Sequence, residues 1–388
     1  MGHKYAVLGA GRQGIAAAYD LAKFGDCEEV KLMDVDGEAA KKQSAHVNRL
    51  LSQDVVTAHQ VDADNIKQLM SALDDISTVI SAVPYKFNLA LTKIAIKKRI
   101  NMCDLGGNTG IVKQQLEHNQ EAKSAGITII PDCGMGPGMN ISLANYAMSI
   151  LDNPREVYIW DGGLPQDPKP PWNYELSFNI GGLTNEYYGK AYFIRNGKII
   201  EVECFDGYEV LDFPFPLNKL EAFVTSGGLS TMPWTFYGKL QSLENKTIRY
   251  PGHWAQFRAF TQLGLLEEEP IEINDNKVIP REFFHTLLEP KITKTDVRDV
   301  GIIRVKCDGE KEGIETEMAV ELLDYYDEKT GFSAMQRLTG WHASIVAILA
   351  AQEKIKSGAI PIETVPGKII IEEAKGRGFS IKENVEVR

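Results

Sequence analysis

The feature that most constrains this chain is its opening run, Tyr5-Ala6-Val7-Leu8, which breaks at Gly9 and resumes as a helical pattern after Gly14. The run has the apolar character of a buried strand, and Ile15, Ala18, Leu21 and Ala22 recur at helical spacing. Gly25 supplies a helix stop, and Val30-Lys31-Leu32-Met33 reads as a second strand ending in Asp34. A strand, a G-x-G-x-x-G turn and a helix in that order make a dinucleotide-binding turn. Gly9 permits the tight turn, Gly11 leaves room for a pyrophosphate, and Gly14 lets the helix pack close on the strand. Arg12 and Gln13 fall in the first helical turn, where unpaired N–H groups and the positive helix end receive phosphate. Asp34 follows Gly14 by 20 residues, where a carboxylate accepts hydrogen bonds from both ribose hydroxyls. A 2′-phosphate there meets like charge, so the expected cofactor is NAD.

Short apolar runs and helical patterns go on alternating, as a doubly wound parallel sheet requires. Residues 55–61 form a third strand and 65–73 its helix; Thr78-Val79-Ile80-Ser81 is a fourth strand that needs burial on both faces. It ends in Ala82-Val83-Pro84-Tyr85, the next strand ends in Asp104 before Leu105-Gly106-Gly107, and the strand at 127–130 runs into a loop from Pro131 to Asn140. Ligands collect at strand C-termini in such sheets. Ala82, Val83, Pro84, Asp104 and Gly106 are therefore candidate cofactor contacts, with a strand-end turn the alternative role for Asp104.

A chain of 388 residues is long for one core, and beyond about residue 151 the pattern turns β-rich. Asn196-Gly197 between two apolar runs marks a hairpin, because that pair tolerates the positive φ of a type I′ turn. Residues 300–307 and 314–325 suit a strand pair, and 253–263 and 281–288 suit helices. A long helix is expected over 333–356; its apolar run is too short to cross a membrane. Hydrophobic content of 44% with 24% charged residues fits a globular enzyme, and a net charge of −11 argues against nucleic acid and anionic membranes as partners. The five cysteines are scattered, with no metal-ligand spacing. No secretory signature opens the chain, so a cytoplasmic location is expected.

Five motifs resemble the saccharopine dehydrogenase-like superfamily: G-A-G-R-Q-G at Gly9 to Gly14, S-A-V-P-Y at Ser81 to Tyr85, D-C-G-M-G-P-G at Asp132 to Gly138, R-Y-P-G-H at Arg249 to His253 and M-Q-R-L-T-G-W at Met335 to Trp341. The resemblance implies a Rossmann domain of residues 1–140 completed by 334–388. An inserted α+β domain of residues 141–333 would serve substrate binding and dimerisation, giving a homodimer or higher homo-oligomer. Saccharopine reductases usually carry an aspartate where this chain has Gly136, and often prefer NADP. With Asp34 and Gly136, the chain looks more like the lysine 6-dehydrogenase branch, which deaminates the ε-amino group of L-lysine with NAD. Saccharopine dehydrogenation (L-glutamate-forming), or a related amine–aldehyde condensation, is the alternative; a dinucleotide-binding sensor without chemistry is the third reading.

Oxidative deamination requires a hydride acceptor over the carbon, a group to take the ammonium proton, and anchors for the far end of the substrate. Asp132, at a strand end, is the first catalytic candidate, its charge suited to an ammonium and to the iminium that develops. Tyr85 suits either a proton relay or closure of the cofactor cleft, and Cys133 either a polar contact or a packing residue. Arg249 suits the substrate carboxylate, because a guanidinium grips both oxygens, with a structural salt bridge the alternative role. His253 follows at i+4, to reach the same pocket or cap its helix. Thr225 and Ser226 offer hydroxyls, while Trp172 and Asn173 suit a pocket wall.

Overall fold

The computed structural model describes residues 2–388, which divide into two compact units. The first comprises the chain through Ser149, together with Ser230–Thr235 and Gln336–Phe379. Its sheet contains β1 (His3–Leu8), β2 (Cys27–Asp34), β3 (Val56–Gln60), β4 (Thr78–Ser81), β5 (Asn101–Asp104), β6 (Thr128–Ile130) and the two-residue strand Gly358–Ala359. The spatial order is Gly358–Ala359, β6, β5, β4, β1, β2, β3, and every neighbouring pair is parallel. Strand order reverses between β1 and β4, so a crevice opens at their C-terminal ends. Tyr5–Leu8 and all of β4 are buried, which is why both read as continuous apolar runs rather than alternating ones.

Helix α1 (Arg12–Phe24) follows the glycine turn, and its inner face is buried from Gly14 to Leu21. The helix expected over 65–73 is Ile66–Ala72, started by Asn65, whose side chain accepts the Gln68 N–H. The long C-terminal helix differs from expectation. A wide π-helical turn occupies Arg337–Trp341, regular α-helix runs His342–Ala351, and Glu353 then takes a left-handed φ of 56°. His342–Ala351 is apolar on every side because it lies in the core, against α1, β4 and β5. Asp20 of α1 is fully buried and accepts both Arg377 Nε (2.9 Å) and the Ser344 hydroxyl, so the C-terminal segment is fastened to α1 by charge as well as by packing.

The second unit comprises Ile150–Leu229, Phe236–Met335 and Ser380–Arg388. Its nine-stranded sheet runs in the order Glu209–Asp212, Lys219–Phe223, Ser242–Arg249, Asn153–Pro165, Asp299–Lys311, Ile314–Tyr325, Ser380–Val387, with the hairpin Lys190–Arg195/Lys198–Glu203 attached at Ser242–Arg249. All pairs are antiparallel except Ser242–Arg249 with Asn153–Pro165. Asn196 and Gly197 turn the hairpin at φ 50° and 71°, as their pairing predicts. Tyr187, Phe223, Phe257 and Phe284 form an aromatic core with the helices Ile180–Glu186, His253–Gln262 and Pro280–Ile292.

Unit membership differs from the expected boundaries in four places, the smallest being Ala334 and Met335, which fall in the second unit. The helix Met139–Ser149 and the segment Ser230–Thr235 belong to the first unit, and the last strand, Ser380–Val387, extends the second unit's sheet by pairing with Ile314–Tyr325. Sheet pairing and helix docking decide these cases, and neither leaves a local periodicity.

The Asp20–Arg377 pair gives a direct test. Arg377→Met leaves a buried carboxylate without its cation, and the chemical denaturation midpoint should fall by the equivalent of about 3–5 kcal/mol. Asp20→Asn/Arg377→Met should recover part of that loss; a single variant as stable as the parent would remove the pair from the account of this fold.

Candidate active site and cofactor turn

Two of the three glycines of the opening turn answer a close approach. Gly9 has φ 110°, and a Cβ there would lie 2.6 Å from the Ala82 carbonyl oxygen at the end of β4. A Cβ on Gly14 would lie 1.8 Å from the Gly9 oxygen, so the helix could not sit where it does. Around Gly11 nothing stands within 4 Å of that position, and having no side chain it gives α1 no capping bond. Gly11 thus places no side chain at the start of α1, where Arg12 is exposed and Gln13 half-buried. Asp34 is half-buried, its Oδ2 accepting the Ala10 N–H (2.7 Å) and its Oδ1 the Asp36 N–H (2.9 Å). It braces the turn while each oxygen keeps a lone pair for a ribose hydroxyl. These residues fit a dinucleotide pyrophosphate and ribose. Ala82 and Val83 are half-buried and Pro84 is exposed at the adjacent strand end.

The loop after β6 carries buried acids. Asp132 is 2% exposed with φ 63°; its Oδ2 accepts the Ser230 hydroxyl, and its Oδ1 has no hydrogen-bond partner among the described residues. Gly106 (φ 76°) makes room for it, since a Cβ there would meet Oδ1 at 2.3 Å. Burial pushes Asp132 well above the usual carboxylate range, the charges of Asp104 and Glu363 push it further, and the Ser230 bond opposes them. The same burial disfavours the carboxylate form, which suits Asp132 to proton exchange rather than to a fixed negative charge. Asp104 is fully buried, its Oδ1 accepting the Gly106 N–H and its Oδ2 the Gln115 amide, both at 2.8 Å. It holds the loop, the alternative role foreseen for it, rather than facing a cofactor.

Cys133 departs from its place among the catalytic candidates. It is fully buried, its thiol bonds to the Ile130 carbonyl (3.3 Å), and burial drives its pKa up, so no thiolate is available. Tyr85 is half-buried, its ring lying where a Cβ on Gly107 would come within 3.1 Å.

Two residues of this site carried no motif. Glu363 is 5% exposed; its Oε1 accepts the hydroxyls of Thr231 and Thr235, both at 2.8 Å, while Oε2 has no partner among the described residues. Burial raises its pKa. The short segment Ser230–Thr235 thus holds both acids, through Ser230 on Asp132 and the two threonines on Glu363. His342 is fully buried between the Cys133 carbonyl (Nδ1, 2.9 Å) and the Ser142 hydroxyl (Nε2, 3.0 Å). A carbonyl only accepts, so Nδ1 carries the hydrogen and Nε2 accepts from Ser142. Burial lowers the ring's pKa to about 4.

In the second unit Arg249 and His253 do meet, but around Tyr187 and not around an open pocket. Arg249 is 3% exposed; Nε donates to the Tyr187 hydroxyl (3.0 Å), Nη1 to Thr247 Oγ1 (2.7 Å) and the Ile248 carbonyl (2.9 Å), and Nη2 to Glu186 Oε2 (3.2 Å). Four of the five N–H groups expected to grip a substrate carboxylate are directed at protein acceptors, Glu186 among them. Burial pushes Glu186 up to about 7 against the pull of Arg249. His253 bonds the Tyr187 hydroxyl through Nε2 (2.8 Å) and stacks on Phe257 (4.1 Å); burial and Arg249 keep it neutral.

The remaining expected contacts have structural duties. Thr225 is buried, and Ser226 bonds the Asn185 carbonyl at 2.7 Å. Trp172 packs on Phe260 at the aromatic core, and Asn173, at φ 48°, turns the chain.

The turn, the strand order and the buried acids at the strand ends define a Rossmann-type protein built to hold a nicotinamide dinucleotide. Residues 5–130 match the saccharopine dehydrogenase NADP binding domain and residues 134–378 the saccharopine dehydrogenase C-terminal domain. The chain belongs to the saccharopine dehydrogenase family. Among curated relatives it is 27% identical to the mitochondrial alpha-aminoadipic semialdehyde synthase of Bos taurus, over 60% of this chain and 26% of that protein. It is 24% identical to the saccharopine dehydrogenase [NADP(+), L-glutamate-forming] of Saccharomyces cerevisiae, over 68% of this chain and 60% of that one. The chain spans about a quarter of the length of the first curated relatives it matches. In fold it is similar to the apo L-Glu-forming saccharopine dehydrogenase structure from Saccharomyces cerevisiae, with a TM-score of 0.78 and 18% identity over 99% of this chain and 100% of that one.

His342 has a pH signature. Between its unfolded pKa of 6.5 and its folded value of about 4 the unfolded chain binds more protons, so its stability is present above pH 6.5 and lost as pH falls toward 4. The loss is on the order of 3 kcal/mol. His342→Gln can keep both hydrogen bonds and should flatten this part of a stability–pH curve; an unchanged slope would assign the acid sensitivity elsewhere.

Proposed function

We propose that the protein is a nicotinamide-dinucleotide-dependent oxidoreductase of lysine metabolism acting on a C–N bond. Its preferred substrate is saccharopine, the secondary amine that joins glutamate to the aminoadipate skeleton. Hydride leaves the carbon beside that nitrogen, water adds to the C=N bond, and glutamate and 2-aminoadipate 6-semialdehyde separate. The bound nicotinamide ring supplies the hydride acceptor, or the donor in reverse.

The observation that supports this reading is the buried Asp132 carboxyl at the C-terminal end of the sheet, with Oδ1 unpartnered among the described residues and a pKa that burial raises. A carboxyl so placed takes a proton from the substrate ammonium before hydride leaves and returns one to the departing amine after water adds. Ser230 fixes its rotamer, and Gly106 permits its close approach. The likeness to saccharopine dehydrogenases favours the secondary amine over the free ε-amine of lysine expected from Gly136. Lysine 6-deamination remains the second reading, on the strength of Gly136 and Asp34. Asp34 at the end of β2 favours NAD, although the matching domain takes its description from NADP.

Purified protein with saccharopine and each oxidised cofactor should form reduced cofactor and glutamate, faster than lysine yields ammonia; the opposite ranking would move the assignment to lysine 6-dehydrogenation. Asp132→Asn should lower kcat about 100-fold or more with dinucleotide affinity unchanged, as loss of an acid–base group does; a kcat within threefold of the parent would remove Asp132 from the chemistry. Asp34→Ser should shift the NAD:NADP preference toward NADP by about tenfold, and an unshifted ratio would show that Asp34 does not read the ribose.

A further inference from the structure

The C-terminal π-helical turn touches the cofactor turn from behind. Gln336 Nε2 donates to the Arg12 carbonyl at 2.9 Å, and Gly340, four residues on, faces the same helix. A Cβ on Gly340 would lie 2.7 Å from the Gln13 oxygen and 2.9 Å from both Ala16 Cβ and the Ala17 nitrogen. Trp341 continues the contact by stacking on Tyr19 at 6.1 Å. The first turn of α1 is therefore seated on backbone as well as side chains. The wide turn Arg337–Trp341 is the irregular element that makes this seat, and such turns recur at functional sites.

The peptide that Gln336 holds joins Arg12 to Gln13. A trans peptide carries its N–H opposite its C=O, so fixing the Arg12 oxygen aims the Gln13 N–H. That N–H is among the first four of α1, which have no partner within the helix and point out of its N-terminus. Gly11, the residue before the helix, has open space around it and supplies no cap. A donor in that position faces the phosphates of a bound dinucleotide.

We propose that Gln336 is a positioning residue for the cofactor: its amide orients the Arg12–Gln13 peptide toward the pyrophosphate, and Gly340 sets the height of α1 at which that peptide is presented. The proposal rests on the dinucleotide reading of the glycine turn. It acts on phosphate recognition and leaves adenosine recognition alone, because the ribose-facing Asp34 is held separately through the Ala10 and Asp36 N–H groups.

The test is calorimetric binding of NAD, ADP and adenosine to the full chain, with thermal unfolding as a check on folding. Gln336→Met keeps the length of the side chain and loses its donor; it should weaken ADP and NAD by about five- to tenfold and adenosine by less than twofold. Gln336→Glu, which also lacks the donor, should show the same split should the methionine variant fold poorly. Gly340→Ala should weaken ADP at least as much, by displacing the start of α1. Equal weakening of ADP and adenosine would mean a general loosening, and unchanged ADP affinity would mean that the Arg12 carbonyl bond does not matter to phosphate; either overturns the proposal. A parent protein that binds none of the three would instead overturn the dinucleotide reading, and this inference with it.

Discussion

The first unit depends on one buried contact between distant parts of the chain: Asp20 on α1 with Arg377 and Ser344 from the C-terminal segment. A carboxylate with no exposure is tolerable only with a cation and hydrogen bonds beside it. Burial pushes Asp20 above the usual range, and Arg377 and Ser344 pull it back. The pairing seats α1 against the core helix His342–Ala351, and α1 in turn carries the glycine turn. The nucleotide-binding unit is thus complete only when residues more than three hundred positions apart have met, as the Gln336 bond to Arg12 also shows.

A second theme is the use of buried acids whose oxygens are satisfied to different extents. Asp104 spends its oxygens on the Gly106 N–H and the Gln115 amide; Asp132 keeps one oxygen without a partner among the described residues. Their closeness matters, because two carboxyls in one buried region discourage each other's ionisation. Glu363 adds a third acid, held by two threonine hydroxyls. In the second unit the same logic runs the other way: Arg249 keeps its charge because Tyr187, Thr247 and Glu186 surround it with acceptors.

What was legible from the chain is local. The order β1, glycine turn, α1, β2 follows from an apolar run, three glycines and a helical period, and Gly9 and Gly14 are each required by a specific close approach. The hairpin at Asn196-Gly197 was legible because a positive-φ pair leaves a chemical signature. Asp132 was legible as a polar side chain at a strand end, but its protonation was not, since that depends on Asp104, Ser230 and Glu363 around it. Arg249 was legible as a cation near His253; that its N–H groups are already engaged was not.

The sequence by itself determined the doubly wound core and the dinucleotide turn, because both follow from periodicity and from steric needs that act within a few residues. Only the tertiary structure decided which acids are buried, that Ser230–Thr235 braces two of them, that the Cys133 thiol is buried, and that Ser380–Val387 joins the second sheet. Burial and partner geometry are properties of contacts between segments far apart in the chain, and no local pattern encodes them.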